Sequence, residues 1–394
     1  MKIQITKSIL ALLLLIGVYA NANAQQQLSE TAQISVLTCS PGEEIYTTFG
    51  HTAIRVQDPI LGIDQVFNYG TFNFDTPNFT MQFLRGKLLY KLGLANYDRF
   101  MRMYSRSQRA VREQVLDLNP EQRQAVYAEL MIERLPENRF YKYDFFFDNC
   151  ATRVRDVFER SLGKNLTWGK NEKVEGRTLR QLLDDHVSKD LPWIDLGMDL
   201  ILGASSDVKA NTSNAMYLPY HLEYSLASTQ LSSNGKPKDF VSQTNILLDY
   251  PQSSSNSILS YLPLLLFGFL LVLRLLFYKS TGLHKLDGVV LFLFALMGII
   301  MLIMWFATDH LACHWNWNVL WASPLLFVLA IQVFRKAACS SLLATIQIFL
   351  CLAVFVFFLV SWQIFHGVTL LFALYVLFMM LRYGSISLPR AMLR

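Results

Sequence analysis

The sequence predicts an α+β domain exported across a membrane, followed by an all-α transmembrane bundle of about five helices. Three observations predict it. The chain of 394 residues is 53% hydrophobic and only 16% charged, too apolar for an ordinary soluble protein. The charges are segregated: residues 25–255 hold nearly all of them, and residues 258–382 hold few. Within the first half, short alternating strand-like runs are interspersed with capped helical segments.

The chain opens as a signal peptide over residues 1–24. Lys2 and Lys7 form its charged start, Ile9 to Val18 its apolar core, and Ala22-Asn23-Ala24 its small-residue cleavage site, with Gln25 as the mature start. The apolar core is short for a spanning helix. Residues 25–227 then read as a periplasmic domain. Residues 228–257 have the polar composition of a linker, apart from Ile246-Leu247-Leu248. Residues 258–394 read as the membrane domain.

In the exported half, Ile34–Thr38, His51–Val56 and Val66–Phe72 have strand character, the last two separated by a turn around Asp58-Pro59 and Gly62. Asn119-Pro120-Glu121 starts a helix that runs to about Leu135. Arg139–Phe147 is aromatic-rich and reads as extended. Asp148-Asn149 caps a helix from Cys150 to Leu162, ended by Gly163, with Val154, Val157, Phe158 and Leu162 on one face. A further helix spans about Thr178 to Lys189.

Hydrophobic runs follow at about 258–278, 286–306, 318–334, 341–365 and 368–382. An exported N-terminal half places the loops at 279–285 and 335–340 and the C-terminus in the cytoplasm. Those segments carry Lys279, Lys285, Arg335, Lys336, Arg390 and Arg394, and the opposite loops carry no Lys or Arg. Charge and signal therefore give one topology in the inner membrane.

The net charge of +5 is modest, and no basic stripe is interleaved with aromatics, which excludes nucleic acid as a partner. The five cysteines are too few, and odd in number, for a disulfide scaffold. Cys39 and Cys150 lie in the exported half, Cys313 in an inter-helix loop, and Cys339 and Cys351 at or in membrane helices.

Cys150 has the sharpest chemistry. It sits in the first turn of a helix, where unpaired N–H groups and the helix dipole favour a thiolate. The competing reading is a small buried cysteine on the packed face. A nucleophilic thiol needs a base, and the exported half offers His51, His186 and His221. His51 begins a strand after Gly50, and a strand-start His facing a helix-start Cys is a papain-like geometry. His186 sits beside Asp184 and Asp185 and reads as a solvated face.

Seven segments resemble one family. They are Thr38-Cys39-Ser40-Pro41-Gly42, Phe49-Gly50-His51-Thr52-Ala53-Ile54-Arg55-Val56, Phe67-Asn68-Tyr69-Gly70, Arg139-Phe140-Tyr141, Asp148-Asn149-Cys150-Ala151-Thr152-Arg153, Met216-Tyr217-Leu218-Pro219 and Trp315-Asn316-Trp317-Asn318-Val319-Leu320-Trp321. The pattern is similar to an exported-domain family first catalogued as a domain of unknown function, which includes the Lnb-type lipoprotein N-acyltransferases. The order of His before Cys resembles circularly permuted papain-like (NlpC/P60-like) folds, including the lecithin:retinol acyltransferase group. The resemblance implies Cys150 as nucleophile, His51 as base and a third, orienting polar residue on the next strand. Asn68 is preferred there by strand parity with His51, with Tyr69 and Thr71 open. It also implies a phospholipid acyl donor and a lipoprotein acceptor.

The reading calls for no cofactor and no metal. Cys39 competes with Cys150 as nucleophile, and a Cys39–Cys150 disulfide would defeat catalysis. The loop Thr308-Asp309-His310-Leu311-Ala312-Cys313-His314 holds zinc-ligand residue types but reads better as an interfacial loop. The stretch Phe79–Arg112 mixes apolar and basic residues and suits either anionic headgroups or a half-buried surface. A cell-wall amidase or peptidase, and a non-enzymatic assembly protein, are the competing functions.

Overall fold

Alternating apolar residues in the first half build a sheet that hides side chains on both faces. The computed structural model describes residues 26–233, 235–251, 259–337 and 339–384, so the expected signal peptide and Arg390 and Arg394 lie outside the described residues. The strands are β1 (Gln33–Cys39), β2 (His51–Asp58), β3 (Ile63–Thr71), β4 (Leu89–Asn96), β5 (Val111–Leu116), β6 (Phe140–Lys142), β7 (Leu166–Thr167), β8 (Gln230–Ser233), β9 (Lys236–Asp239) and β10 (Val241–Leu248). Seven of them form an antiparallel sheet in the order β10-β5-β1-β2-β3-β4-β6, and β7-β8-β9 form a second, small sheet.

The helices of this half are α1 (Phe79–Leu84), α2 (Tyr97–Arg106), α3 (Pro120–Glu133), α4 (Cys150–Leu162), α5 (Leu179–Val187), α6 (Pro192–Ile201), α7 (Thr212–Ala215) and α8 (Pro219–Ala227). Period-two alternation sends Ile34, Val36, Ile54, Val56 and Phe67 to one sheet face, against Val126 and Leu130 of α3 and Val154, Val157 and Phe158 of α4. Leu37, Ala53 and Val66 go to the other face, against Phe100 and Tyr104 of α2. Each large apolar side chain fully buried here contributes about 1.5–3 kcal/mol. The α3 start is a capping box between Asn119 and Gln122 with Pro120 at the first helical position.

Three differences from the sequence reading have physical causes. Only Phe140–Lys142 of the expected extended 139–147 segment is a strand, because Asp144 then accepts the Phe146 and Phe147 N–H groups and turns the chain. Residues 228–257 are not simply a linker, since they contain β8, β9 and β10. β10 pairs with β5 at the sheet edge, with half of its residues exposed and none fully buried, which gives it a linker-like composition. The expected span at 318–334 is helical only from Leu325. Its first part is a short turn around Trp317–Val319, followed by Pro324.

The second half holds α9 (Leu262–Leu276), α10 (His284–Phe306), α11 (Leu325–Phe334), α12 (Ser341–Leu359) and α13 (Gly367–Tyr383). The 23 residues of α10 and the 19 of α12 are long and apolar enough to cross a membrane, while the other three are shorter apolar helices. Leu291, Ala295, Ala330, Cys351, Ala373 and Val376 pack inward, whereas Phe269, Leu293, Phe306, Leu342 and Phe349 stay exposed, the pattern of helices solvated by lipid. An ion pair joins Arg274 of α9 to Asp287 of α10 at 2.6 Å.

The two halves are fastened together by the loop between α10 and α11. The Gly203 and Ala204 N–H groups donate to the carbonyls of Ala312 and Trp315 at 2.9 and 3.0 Å. Asn316 donates to the carbonyls of Leu200 and Ile201 at 2.8 and 2.9 Å. A Cβ at Gly203 would meet the His314 oxygen at 1.9 Å, so only glycine admits this approach. Lys142 of β6 also pairs with Asp309 of this loop at 2.8 Å.

Candidate active site

The site forms where β2 and β3 stop pairing. Their ladder runs from Asp58 opposite Ile63 to Ile54 opposite Phe67 and goes no further. Beyond it lie His51 on β2, Asn68 on β3 and the start of α4 with Cys150. Gly50, at φ +78°, turns the chain into β2, and a Cβ there would meet the Cys39 carbonyl oxygen at 2.7 Å.

Asn149 fixes the start of α4. Its side-chain oxygen accepts from Ala151 and Thr152 N–H at 2.9 and 3.0 Å, and Thr152 Oγ1 accepts from the Asn149 N–H at 2.7 Å. The Asn149 amide also donates to the carbonyls of Phe145 and Tyr217 at 2.7 and 2.8 Å. Asp148, expected to share the capping, instead pairs with Arg153. Cys150 is thereby held at the first helical position and is buried.

The structure brings the three expected residues together. His51 Nε2 lies 2.5 Å from Asn68 Oδ1. The amide oxygen can only accept, so Nε2 carries the proton of the neutral ring and Nδ1 is left for Cys150, to which His51 is hydrogen-bonded. Burial by itself pushes the Cys150 thiol up. The charge and hydrogen bond of His51, with the N–H groups of Thr52 and Ala151 on the sulfur, outweigh it and bring the thiol below its usual range. For His51, burial favours the neutral ring, but the Cys150 charge and the bonds to Cys150 and Asn68 raise its pKa. Both shifts favour a thiolate–imidazolium pair.

The other candidates are placed elsewhere. Cys39 lies opposite His51 in the β1–β2 ladder, but burial pushes its thiol up to about 12. Cys39 and Cys150 are both free thiols, with no disulfide between them. His221 is pushed down to about 4 by burial and bonds Asn171 at 3.1 Å, and His186 stands next to it with ring centroids 6.3 Å apart. Asp309 and His310 of the α10–α11 loop are engaged in holding α1 and β6, through Arg85, Phe83 and Lys142.

Two contributors escaped the sequence reading. Thr52 donates its backbone N–H to the sulfur, and its hydroxyl is buried without a hydrogen-bond partner among the described residues. Tyr143 lies beside Cys150: a Cβ built on Gly70 would be 3.7 Å from Cys150 Cβ and 3.8 Å from Tyr143 Cε2. The position of Thr52 next to His51 was a signal for the first; nothing in the sequence singled out the second.

The paired shifts set the pH dependence of the sulfur. Iodoacetamide alkylation of Cys150 is expected to persist to lower pH than that of an unperturbed thiol, because the thiolate survives below the ordinary thiol pKa. His51→Ala removes the charge and bond that lower it, so the alkylation profile moves to higher pH. Mass spectrometry of the Cys150 peptide across a pH series reads the shift, and identical profiles for the two proteins would refute the pairing.

Residues 19–185 match the family model for the Lnb N-terminal periplasmic domain, and residues 255–391 match that for the Lnb transmembrane domain. No curated protein and no solved structure matches the chain.

Proposed function

The chain belongs to the Lnb family, membrane proteins of lipoprotein processing with a periplasmic N-terminal domain, and from that premise we propose that it is a cysteine-dependent lipoprotein N-acyltransferase. The observation that carries the reading is the Cys150–His51 hydrogen bond at a helix start, in a domain fastened to a membrane-embedded bundle. The acyl donor is a phospholipid, and the acceptor is the α-amine of a diacylglyceryl-cysteine lipoprotein.

The Cys150 thiolate attacks the acyl ester carbonyl. The tetrahedral intermediate collapses, the ester C–O bond breaks, and the leaving lysophospholipid oxygen takes the proton from the His51 imidazolium. A thioester on Cys150 remains beside a neutral His51. The acceptor amine then attacks the thioester, His51 takes its proton, and the thiolate leaves, so that enzyme and proton count are restored. Asn68 holds the ring through Nε2 during both transfers. The backbone N–H of Cys150, which has no acceptor among the described residues, is available for the developing oxyanion.

The same reading places the chain in the inner membrane with a cytoplasmic C-terminus. Lys279, Lys285, Arg335 and Lys336 lie at the helix ends away from the periplasmic half, and the loop that docks on that half carries no Lys or Arg. A wall amidase shares the chemistry up to the acyl-enzyme, but a soluble wall peptide requires no docked bundle.

The test uses the full chain in phospholipid vesicles with a synthetic S-diacylglyceryl-cysteinyl peptide. The peptide should gain the mass of one acyl chain, with one lysophospholipid formed per transfer. An unaltered peptide in the presence of folded protein, or cleavage of wall peptides in its place, would overturn the assignment.

A further inference from the structure

No side chain of helix α1 is fully buried: Phe79 packs partly buried against the core, and its other large apolar side chains face outward. Met81, Phe83 and Leu84 are 57, 49 and 48% exposed in a helix of six residues. Phe74, just before it, is 66% exposed. So dense an apolar patch on a soluble surface marks a binding face.

The patch continues inward to the sulfur. The Phe72 ring lies 4.9 Å from Phe74, 5.7 Å from Phe79 and 5.2 Å from Tyr90. Tyr90 is 4.6 Å from Tyr143, which lies beside Cys150 across Gly70. A line of rings thus runs from the exposed patch to the nucleophile.

The patch also continues outward to the membrane bundle. Asp309 N–H donates to the Arg85 carbonyl at 2.9 Å, and the His310 ring reaches the Phe83 carbonyl at 3.1 Å. These two residues follow closely on the end of α10 at Phe306. Trp305 packs there against Trp315 and Trp317, tilted and edge-on, with ring centroids 5.4 and 5.8 Å away, an aromatic group of the kind that marks the lipid headgroup level. Exposed Arg85 and Lys87 flank the apolar face and complement a lipid phosphate.

We propose that α1 and the Phe72–Phe74 cluster form the portal by which a bilayer phospholipid enters, its phosphate near Arg85 and Lys87 and its acyl chain along the rings to Cys150. The portal rests on the acyltransferase reading for its purpose, but its occupancy by lipid can be measured without catalysis.

The full chain carrying a benzophenone amino acid at position 83, 74 or 60 is irradiated in phosphatidylethanolamine–phosphatidylglycerol vesicles, and lipid adducts are counted by mass spectrometry. Ile60, 70% exposed on the β2–β3 hairpin at the opposite end of β2 from His51, is the control. About tenfold more lipid adduct is expected at positions 83 and 74 than at 60. Equal adducts at all three positions overturn the portal, even where transfer itself is observed. In the transfer assay, Phe83→Asp is expected to slow acylation from vesicle phospholipid about tenfold while Ile60→Asp leaves it unaltered; an unaltered rate in Phe83→Asp also overturns the portal. Where no transfer occurs at all, the adduct counts still decide lipid occupancy, and only the acyltransferase assignment falls.

Discussion

Cys150→Ser is expected to abolish lipoprotein N-acylation, with a loss on the order of 10⁴–10⁶-fold in rate. The size of the effect follows from what the site does for sulfur and cannot do for oxygen. His51 and the Thr52 and Ala151 N–H groups lower the pKa of an already acidic group and so favour its thiolate. The same contacts leave a serine hydroxyl protonated, and a neutral hydroxyl is a poor nucleophile without a stronger base. Serine is close to isosteric with cysteine, so the capped start of α4 and the core beneath it remain. The thermal midpoint should therefore stay near that of the native chain while the transfer rate falls to background.

His51→Ala should fall nearly as far, and the double variant no further, because the two residues act as one unit. Cys39→Ser should keep the native rate within about threefold, since a thiol pushed up to about 12 is never the nucleophile at working pH. The initial rate of peptide N-acylation in vesicles checks all four proteins. An active Cys150→Ser, or an inactive and folded Cys39→Ser, would move the chemistry to another residue.

Much of this arrangement was legible because local rules govern it. The Asn149 cap, the first-turn placement of Cys150 and the strand beginning at His51 each follow from short-range signals, and strand parity selected Asn68. The structure shows Cys150, His51 and Asn68 in contact. What escaped depends on partners distant in sequence. β4 and β5 carry mixed polar patterns that only pairing with β3 and β1 explains. β10 looked like a linker because an edge strand has a wet face. The α10–α11 loop carries no sequence signature of docking, since many of its acceptors are backbone carbonyls on either side of the interface. In the sequence, the helix start favours Cys150 over Cys39; both thiols are buried, and what separates them in the fold is the His51 and N–H groups around Cys150.

Arg180→Leu should be the most destabilising single change outside the membrane helices. Arg180 is wholly buried. It pairs with Asp199 at 2.8 Å and Asp207 at 2.6 Å, and donates to the carbonyls of Leu202 and Gly203 at 3.1 and 2.9 Å. Leucine fills part of the space but leaves two buried carboxylates and two carbonyls without their donor. Removing one partner of a buried ionic network costs about 3–5 kcal/mol. Burial and neighbouring Asp199 and Asp195 push Asp184 up to about 9, so the region already disfavours negative charge.

The consequence extends beyond stability, because the segment Arg180 organises is the one that holds the two halves together. Leu200, Ile201, Gly203 and Ala204 bond the α10–α11 loop, and Asp207 accepts from the Ile364 N–H at 3.1 Å. Loss of Arg180 should therefore lower the thermal midpoint in detergent on the order of 5–10 °C, and should expose the junction near residue 251 to protease before the periplasmic core unfolds. Arg177→Leu is the matched control. Its ion pair with Asp185 is at the surface, with side chains 36 and 53% exposed, so its loss costs no more than about 1 kcal/mol. Equal stability of the two variants would mean that the segment docking the α10–α11 loop keeps its shape without the Arg180 network.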